Sequence, residues 1–356
     1  MKVTVIGAGN GGQTFASYFT HVGCEVSLYN RNPKVLYEIE ANGGIDLIGY
    51  YNFKEKIHEL TSNIVKAISG AKLIMVATPA NAHGDIAEQI APFLKDGQII
   101  VLNPGRTLGT HYFYNVLVKN GLKANVVVAE ADTLIYTCRL VKNGLCRVFS
   151  QKKELHVAAH NPDDTQLVCD MLSEFYGDVI VPAETVLYTG LSNLGVIFHP
   201  VPVILNIARI EEQSTFSHYK QGISPTVATF LEKIDNERIA IANALGVKID
   251  TAVKWLNRIY RTEGNTLYEA LQNNAAYTEV LAPTTIHTRY IYEDIQTGLV
   301  PLSILSKELG IENSAMDCII KLASMLYNYD FYLNGRNEGI IDFQNIINSR
   351  KIALVG

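Results

Sequence analysis

The sequence predicts an α/β domain over residues 1–183, followed by an all-α domain over residues 184–356. Short apolar strands alternate with segments of helical periodicity through the first half. After Glu184 the strand pattern stops, and apolar residues recur at helical spacing. The chain has 356 residues, 48% of them hydrophobic and 18% charged, which is enough for two globular domains with buried cores.

A glycine-rich loop follows the first predicted strand, over residues 2–6. A segment of helical periodicity and a second strand, over residues 25–29, come after the loop. The order strand, G-x-G-x-x-G, helix, strand is typical of a Rossmann domain that binds a dinucleotide. We therefore predict that the loop contacts the cofactor through Gly7, Gly9, Asn10, Gly11 and Gly12.

Three of these glycines have separate expected roles. Gly7 allows the tight turn, Gly9 lets the pyrophosphate approach the backbone, and Gly12 lets the helix pack on the sheet. Unpaired N–H groups in the first helical turn would bind the phosphates. A glycine turn without a ligand is the alternative, which the position straight after the first strand disfavours.

The residues after the second strand bear on the choice of cofactor. NAD-binding domains place Asp or Glu there to bond the ribose hydroxyls, whereas an arginine accommodates the 2′-phosphate of NADP. This chain has Asn30 followed by Arg31. The missing carboxylate and the added guanidinium favour NADPH over NADH. The alternative is a surface arginine beside an asparagine that caps the helix beginning near Pro33.

The alternation of strands and helices continues to about residue 182. Ligands bind outside the carboxyl ends of the strands in an open parallel sheet. Two loops follow the strands predicted over residues 73–77 and 98–102, and they supply further cofactor contacts, Thr78, Pro79, Asn103 and Gly105. The other predicted elements are helices over 61–70, 82–94 and 163–175, and strands over 125–129, 133–138, 146–149, 155–159 and 178–181.

The second half is predicted to be helical throughout. Glycine and proline punctuate the periodic segments, as at 222–225, 245–247 and 310. The predicted helices cover residues 184–213, 225–245, 250–260, 265–273, 285–295, 299–309 and 313–327. We expect the active site where this domain meets the Rossmann domain.

The most apolar stretch, residues 184–209, contains a histidine. Its 24 residues between Glu184 and Arg209 include no Asp, Glu, Lys or Arg. About 20 apolar residues can span a membrane, but the polar residues and prolines inside the stretch favour a buried helix of a globular domain. Pro200 and Pro202 should disrupt that helix at His199. His199 is then either an acid/base group or a core histidine bonded to a freed carbonyl.

Composition and charge limit the classes of partner that the protein can have. A net charge of −5 and the lack of a basic run with interleaved aromatics predict no nucleic-acid binding. The five cysteines are scattered without a CxxC pair, so neither disulfides nor a zinc site are indicated. His156 and His160 lie on a predicted strand and are interpreted as structural. We expect a cytoplasmic protein without a signal peptide or membrane span, and a homodimer is compatible with the sequence.

Three segments, which lie in both predicted domains, carry a resemblance to a known family. They are Glu130-x-x-Thr133-Leu134-x-Tyr136-x-Cys138-Arg139, Asn193 to His199-Pro200, and Arg289-Tyr290-x-x-Glu293-Asp294-Ile295-x-x-Gly298-Leu299-Val300-Pro301. They resemble the opine dehydrogenases, which form the octopine/nopaline dehydrogenase group of the 6-phosphogluconate-dehydrogenase-like superfamily. The resemblance is most specific over residues 125–140, 190–206 and 287–301.

The resemblance implies a reaction and a catalytic pair. Opine dehydrogenases join an amino acid's amino group to an α-keto acid such as pyruvate, and they reduce the imine with NAD(P)H. The family's His–Asp pair falls on His199, as general acid/base, and Asp294, which orients it. The family's asparagine falls on Asn193, although six residues of regular helix, about 600°, would put it on a different face. From the residues alone, the carboxylate partners include Asp235, Asp250, Glu269, Glu293 and Asp294.

Supporting residues are implied by the same motifs. Both substrates carry carboxylates, so a bidentate cation is expected, from Arg139 or Arg289. A surface pair of Arg289 with Glu293 is the alternative. Glu130 and Thr133 would face the amino-acid substrate. Ile135 stands where the family motif often has proline, which leaves the amino-acid specificity open.

Two other functions remain as alternatives. A ketopantoate reductase or glycerol-3-phosphate dehydrogenase would share the two-domain plan, but these enzymes use a lysine as acid, and residues 184–209 contain none. A non-catalytic NADP sensor or scaffold would need neither His199 nor Asp294.

Overall fold

The fold is described from a computed structural model, in which residues 1–355 are placed. The chain forms two compact units, of which the first is Met1–Gly190 and the second begins at Leu191. The boundary predicted between residues 183 and 184 lies seven residues before this division. The predicted bounds of the two domains stay a prediction.

The first unit contains twelve strands within the described residues. They are β1 (Lys2–Ile6), β2 (Glu25–Tyr29), β3 (Ile45–Gly49), β4 (Phe53–Glu55), β5 (Glu59–Thr61), β6 (Leu73–Val76), β7 (Ile99–Leu102), β8 (Val127–Ala131), β9 (Tyr136–Lys142), β10 (Leu145–Gln151), β11 (Leu155–Ala159) and β12 (Ile180–Pro182). Its helices are α1 (Asn10–His21), α2 (Pro33–Ala41), α3 (Ile64–Ile68), α4 (His83–Ile90), α5 (Gly109–Lys119) and α6 (Thr165–Tyr176), and α7 (Val186–Leu191) spans the division.

The main sheet has the strand order of a dinucleotide-binding domain. Its order is β12-β11-β8-β7-β6-β1-β2-β5, and the strands from β8 to β5 are all parallel. The order reverses between β1 and β6, where such sheets bind ligands. Every residue of β6 and β7 is buried, as expected for strands covered by helices on both faces. The predicted Rossmann fold is confirmed.

A second sheet of four strands, β4-β3-β10-β9, was not predicted. Two of the predicted strands, 133–138 and 146–149, belong to this sheet as β9 and β10. The prediction also lacked β3, β4, β5 and α5. β4 and β5 have only three residues each, without an apolar alternation, and α5 is rich in aromatic and β-branched residues with modest helix propensity.

The second unit is helical, as predicted, apart from one isolated bridge among the described residues. Its helices are α8 (Gly195–Phe198), α9 (Pro200–Leu205), α10 (Ile207–Glu211), α11 (Pro225–Ala244), α12 (Ala252–Tyr260), α13 (Leu267–Asn273), α14 (Arg289–Asp294), α15 (Val300–Glu308), α16 (Ser314–Tyr327), α17 (Phe331–Asn334) and α18 (Phe343–Val355). The last two were not predicted.

Two predictions of helix continuity were wrong. The single helix predicted over 184–213 is four short helices, α7 to α10, with breaks at 192–194, 199 and 206. The separate helices predicted over 285–295 and 299–309 are instead one continuous run, in which a π-helical turn, Ile295–Leu299, joins α14 to α15.

By length and composition alone, Val186–Leu205 is apolar enough to cross a membrane. However, 78% of its most apolar window is buried inside the protein. Core helices of globular proteins pass the same test, so the composition is weak evidence for a membrane span. The burial favours the interpretation of this stretch as a core segment.

Candidate active site

The loop between β1 and α1 is held in a tight turn by close backbone contacts. Gly7 has a φ of +103°, and a Cβ on it would lie 2.8 Å from Cγ2 of Thr78. A Cβ on Gly12 would lie only 1.7 Å from the carbonyl oxygen of Gly7. Gly12 is therefore required for contact with the loop itself, as well as for the predicted packing against the sheet.

The other loop positions differ in what they contact. Gly9 has open space where its Cβ would be, so a ligand can approach its backbone closely. A Cβ on Gly11 would meet Leu134 at 2.9 Å. The Asn10 side chain accepts a hydrogen bond from the Leu140 N–H at 2.9 Å and thus ties α1 to β9. The predicted cofactor contact of Asn10 stays a prediction.

An unsatisfied polar atom lies beside this loop. Thr78, predicted to contact the cofactor, follows β6 and packs against Gly7. Its Oγ1 is buried, and it has no hydrogen-bond partner in the described part of the chain. A buried hydroxyl without a partner costs about 1–3 kcal/mol, so it indicates a ligand atom that completes the bond. The adjacent Pro79 is exposed. Together, the open Gly9 and the unsatisfied Thr78 hydroxyl fit a bound dinucleotide.

The end of β2 is connected to the glycine loop through Asn30. The Ala8 N–H donates to Asn30 Oδ1 at 3.3 Å, and Asn30 Nδ2 donates to the Asn32 carbonyl at 3.1 Å. Arg31 is exposed. The helix cap considered as an alternative at sequence level is present, but Asn32 supplies it by accepting from the Lys34 N–H. Asn30 and Arg31 are therefore not needed to cap α2.

Two predicted residues after β7 are used within the protein. Asn103 is 5% exposed, and its Nδ2 donates to the Val101 carbonyl at 2.8 Å. A Cβ on Gly105 would lie 2.3 Å from Glu130 Oε2. Gly105 is therefore needed for the close approach of this loop to a buried carboxylate. Their roles as cofactor contacts stay predictions.

That carboxylate, Glu130, lies at the carboxyl end of β8 and is 0% exposed. It accepts hydrogen bonds from the Thr110 N–H at 2.8 Å and from Thr189 Oγ1 at 2.6 Å. Glu130 thus connects α5 and α7 to the main sheet. Its assignment as a substrate contact stays a prediction, and the observed bonds give it a structural role as well.

The remaining motif residues of the first unit, Thr133 and Arg139, make separate contacts. Thr133 accepts a hydrogen bond from Lys152 Nζ at 2.5 Å. Burial lowers the pKa of Lys152 to about 8. Arg139, on β9, is exposed and lies directly opposite Arg147 on β10. Two like charges opposite each other repel, which favours an anion there, although a substrate carboxylate on Arg139 stays a prediction.

In the second unit, the side chains of His199 and Asp294 form a hydrogen-bonded pair. His199 Nδ1 lies 2.9 Å from Asp294 Oδ2. The histidine side chain is 17% exposed and that of the aspartate 1%. A carboxylate only accepts, so Nδ1 carries the proton that is donated to Asp294, and Nε2 is left to exchange protons with a ligand. Asp294 is the carboxylate that lies beside His199 among the candidates considered.

His199 lies at a break between two short helices. α8 ends at Phe198 and α9 begins at Pro200, so His199 is the junction residue. Prolines fit the first turn of a helix but not its interior, which explains why α8 stops there. The predicted disruption of the helix at His199 is confirmed.

The backbone at the end of α7, where the apolar stretch first breaks, is held by a buried arginine on α11. Arg238 is 0% exposed and donates to the Leu191 carbonyl at 2.5 Å and to the Asp250 carbonyl at 2.7 Å. Asp235 neutralises it at 2.7 Å. The Asn193 side chain accepts from the Gly195 N–H at 3.0 Å in the following turn. Because the helix is broken there, regular helical angles do not relate Asn193 to His199, and its catalytic role stays a prediction.

Arg289, on the first turn of α14, has an accessible guanidinium. Its side chain is 61% exposed and lies 3.7 Å from the buried carboxylate of Glu293. The i, i+4 pair considered as an alternative is therefore present, but at a distance beyond a hydrogen bond.

Gly298, in the π-helical turn between α14 and α15, packs closely on α8. A Cβ at this position would lie 2.1 Å from Val196 Cγ1. This contact brings the π-helical turn against the helix that precedes His199.

Two aromatic side chains near His199 were missed at the sequence level. The Tyr290 ring stacks on the His199 ring at 4.1 Å with an interplanar angle of 10°. His218 Nε2 lies 3.0 Å from the Phe198 carbonyl oxygen. Pro202 signalled that this carbonyl needs another partner, since a proline has no N–H to pair with it, but no local pattern pointed to His218. The histidine bonded to a freed carbonyl is thus His218, and not His199.

No group of three or more His, Cys, Asp or Glu side chains is arranged to hold a metal ion within residues 1–355. His156 lies 3.4 Å from Asp132 and 3.1 Å from Glu154. His160 stacks on Tyr114. The contacts of both histidines are with neighbours in the first unit.

Comparison with known proteins matches each half of the chain to a family model. Residues 182–327 match the model described as NAD/NADP octopine/nopaline dehydrogenase, alpha-helical domain. Residues 2–130 match the NAD-dependent glycerol-3-phosphate dehydrogenase N-terminus. The second match covers only the dinucleotide-binding half, and it agrees with the Rossmann topology described above.

Relatives match over nearly the whole chain. The opine dehydrogenase of Arthrobacter sp. (strain 1C) is 34% identical over 334 residues, which are 93% of this chain and 92% of that one. Octopine dehydrogenase, solved with NADH and agmatine, matches with a TM-score of 0.82 at 20% identity over 98% of both chains. Yersinopine dehydrogenase with NADP⁺ bound matches with a TM-score of 0.76 at 14% identity over 99% of both chains. The chain therefore belongs to the opine dehydrogenase family, as predicted, and is an NAD(P)-dependent oxidoreductase that acts on the CH–NH group of donors.

Proposed function

We propose that this enzyme condenses the amino group of an amino acid with an α-keto acid such as pyruvate, and reduces the resulting imine to an N-(carboxyalkyl)amino acid. The observation that carries the proposal is the His199–Asp294 pair, at 2.9 Å, in the half of the chain that matches the octopine/nopaline dehydrogenase model. The 34% identity to a named opine dehydrogenase supports the same reaction.

His199 is the general acid/base of the proposed reaction. The amine nitrogen attacks the keto carbon, and one of its protons passes through His199 Nε2 to the former keto oxygen. A second proton from Nε2 lets this oxygen leave as water and gives the protonated imine. A nicotinamide cofactor held at the glycine-rich loop would supply the hydride for the imine carbon. Asp294 holds the imidazole through Nδ1 and stabilises its protonated form, so that Nε2 stays directed at the reacting atoms. Asn193 is proposed to assist as a hydrogen-bonding group near this pair.

The carboxylates of the substrates are proposed to bind cations. Arg289 is the first candidate, because its guanidinium is exposed, lies one residue from the ring that stacks on His199, and can bind a carboxylate through two N–H groups. Arg139, Thr133 and Glu130 are proposed contacts of the amino-acid substrate, as implied by the motif that contains them. Glu130 also positions the segments of Thr110 and Thr189 through the hydrogen bonds that it accepts.

NADPH is the proposed preferred cofactor, with NADH as the alternative. Asn30 occupies the position at which an NAD-binding domain has a carboxylate. Its side chain is a neutral amide, which accepts a hydrogen bond from the Ala8 N–H, so there is no negative charge at this position. Arg31 is exposed beside it and is available to a 2′-phosphate. Neither residue is consumed by the cap of α2.

The decisive experiment measures NADPH and NADH oxidation by the purified protein with pyruvate and other α-keto acids against a panel of all amino acids. Oxidation that requires both an amino acid and a keto acid supports the proposal. Oxidation with a keto acid alone would indicate a simple oxo-acid reductase of the ketopantoate reductase type. His199→Ala should abolish the amine-dependent turnover while cofactor binding, followed by fluorescence titration, persists, and full turnover in that variant would refute the assigned mechanism.

A further inference from the structure

We infer that His218 is a positioning residue for His199: by donating Nε2–H to the Phe198 carbonyl, it fixes the backbone junction from which the His199 imidazole projects. The inference rests on the proposed role of His199 as acid/base. It assigns to a second histidine a task that involves no contact with substrate or cofactor.

The Phe198 carbonyl needs such a partner because of Pro202. In an α-helix the carbonyl of residue i accepts from the N–H of residue i+4, and residue 202 is a proline without an N–H. Phe198 is 3% exposed, so water is a poor substitute. His218 Nε2 lies 3.0 Å from this oxygen. A buried carbonyl that would cost free energy if left unpaired is thereby satisfied.

The junction would otherwise be poorly determined. His199 has φ −101° and ψ −62°, at the edge of the helical region, between helices of four and six residues. Helices this short have little stability of their own. Phe198 is the residue directly before His199, so a fixed Phe198 carbonyl also fixes the peptide plane that leads into His199.

His218 is itself held from two sides and is neutral. Its backbone N–H donates to the Val280 carbonyl at 2.8 Å, and the residue is 1% exposed. Burial, with a smaller effect from His199, lowers the pKa of His218 to about 4. A neutral imidazole has one N–H, which the carbonyl fixes at Nε2. A neutral ring also avoids charge repulsion when His199 becomes protonated.

Tyr290 gives a second constraint on the same imidazole. Its ring lies 4.1 Å from the His199 ring and 5.3 Å from the His218 ring. The titratable and charged groups around the two histidines are the rings of Tyr219 and Tyr290, the carboxylate of Asp294, and the Arg289–Glu293 pair on α14. The backbone is thus fixed by His218, the ring plane by Tyr290, and the tautomer by Asp294.

Two matched variants of His218 test the inference. His218→Gln places an amide N–H near the position of Nε2, whereas His218→Asn places it nearer Nδ1, too far from the Phe198 carbonyl. We expect His218→Gln to keep kcat within about 5-fold of the wild type and His218→Asn to lose roughly 10- to 100-fold, since displacement of a reacting group by about 1 Å costs up to about 10²-fold. KM for the amino acid and the keto acid should change little in both, because His218 touches neither.

Normalisation separates positioning from folding. kcat is expressed per cofactor-binding site, counted by fluorescence titration with NADPH, and Tm is measured for each variant. If His218→Asn lowers Tm but has the kcat of His218→Gln per competent site, the histidine is only structural and the inference is overturned. Equal kcat in all three proteins overturns it as well.

A control on His199 separates this inference from the proposed function. If His199→Ala keeps its turnover, the acid/base assignment fails and His218 has nothing to position. If His199→Ala is inactive while His218→Asn is as active as the wild type, the proposed function stands and only the role of His218 is refuted.

Discussion

His199 Nδ1 and Asp294 Oδ2 lie 2.9 Å apart although 95 positions separate the two residues in the chain. One side chain comes from the junction between α8 and α9, and the other from the last residue of α14, directly before a π-helical turn. Single π-helical turns in α-helices are frequent at functional sites. The extra residue in the turn changes the direction in which the side chains of α14 point relative to those of α15. The aspartate can therefore point at the histidine while Gly298 packs on α8.

The first prediction concerns this pair. Asp294→Asn should lower kcat by roughly 10²- to 10⁴-fold, because an amide neither stabilises the imidazolium nor enforces the Nδ1–H tautomer. Cofactor affinity should be unchanged. The measurement is steady-state kinetics with saturating substrates, with Glu279→Gln as a control that removes an exposed carboxylate of the same unit. A loss of less than about 10-fold would remove Asp294 from the mechanism.

The second prediction concerns the cofactor. Asn30→Asp should lower kcat/KM for NADPH by roughly 10- to 100-fold relative to NADH, because a carboxylate repels the 2′-phosphate and bonds the ribose hydroxyls instead. The substitution is nearly isosteric, and the introduced carboxylate can still accept from the Ala8 N–H. Arg31→Ala should also lower kcat/KM for NADPH relative to NADH. Lys123→Ala, which removes another exposed cation of this unit, should leave that ratio unchanged. A wild type that uses NADH as well as NADPH would show the preference to be wrong.

The third prediction concerns stability. A Cβ at residue 298 would lie 2.1 Å from Val196 Cγ1 and 3.1 Å from its Cβ. Because valine is stiff and branched, Gly298→Ala should lower the free energy of unfolding by about 1–3 kcal/mol, as overpacking does. Denaturant unfolding followed by circular dichroism measures it.

The double variant Gly298→Ala/Val196→Ala is the matched control for that clash. It removes the methyl groups that the new Cβ would strike, so the two substitutions should be less destabilising together than the sum of their separate effects. Strict additivity would mean that the contact between the π-helical turn and α8 is loose.

Local patterns predicted much of the first unit. The strands predicted over residues 2–6, 25–29 and 155–159 have the observed bounds of β1, β2 and β11. Each is a short apolar run, flanked by glycine or polar residues. The second sheet could not be predicted in this way, because β3 pairs in parallel with β10 about 100 residues later in the chain. Such pairing depends on the fold of the whole unit and leaves no mark in a local window.

The second unit shows what a proline does and does not predict. The sequence predicted a break at His199, and it predicted Asp294 as partner only through the family motif. The breaks at 192–194 and 206 were missed, since they depend on contacts between segments that are apart in the chain: Arg238 donates to the Leu191 carbonyl, and Asn206 donates to the Gly222 carbonyl. The partner of the Phe198 carbonyl was missed for the same reason.

The last prediction concerns acid stability. Folding lowers the pKa of His218 to about 4, against about 6.5 in an unfolded chain. Between these values the unfolded state binds one more proton than the folded state, so the free energy of unfolding falls as the pH falls from 6.5 to 4, by about 3 kcal/mol for this group. Below pH 4 both states are protonated, and this contribution stays constant.

His218→Gln isolates that contribution, because glutamine does not titrate and keeps a donor for the Phe198 carbonyl. Carboxylates contribute to acid unfolding in both proteins, so the quantity to compare is the difference in unfolding free energy between about pH 7 and about pH 4.5, measured by denaturant titration. We expect this difference to be smaller in the variant by about 2–3 kcal/mol. Parallel pH profiles in the two proteins would mean that His218 titrates normally in the folded state, and that it is not held neutral beside His199.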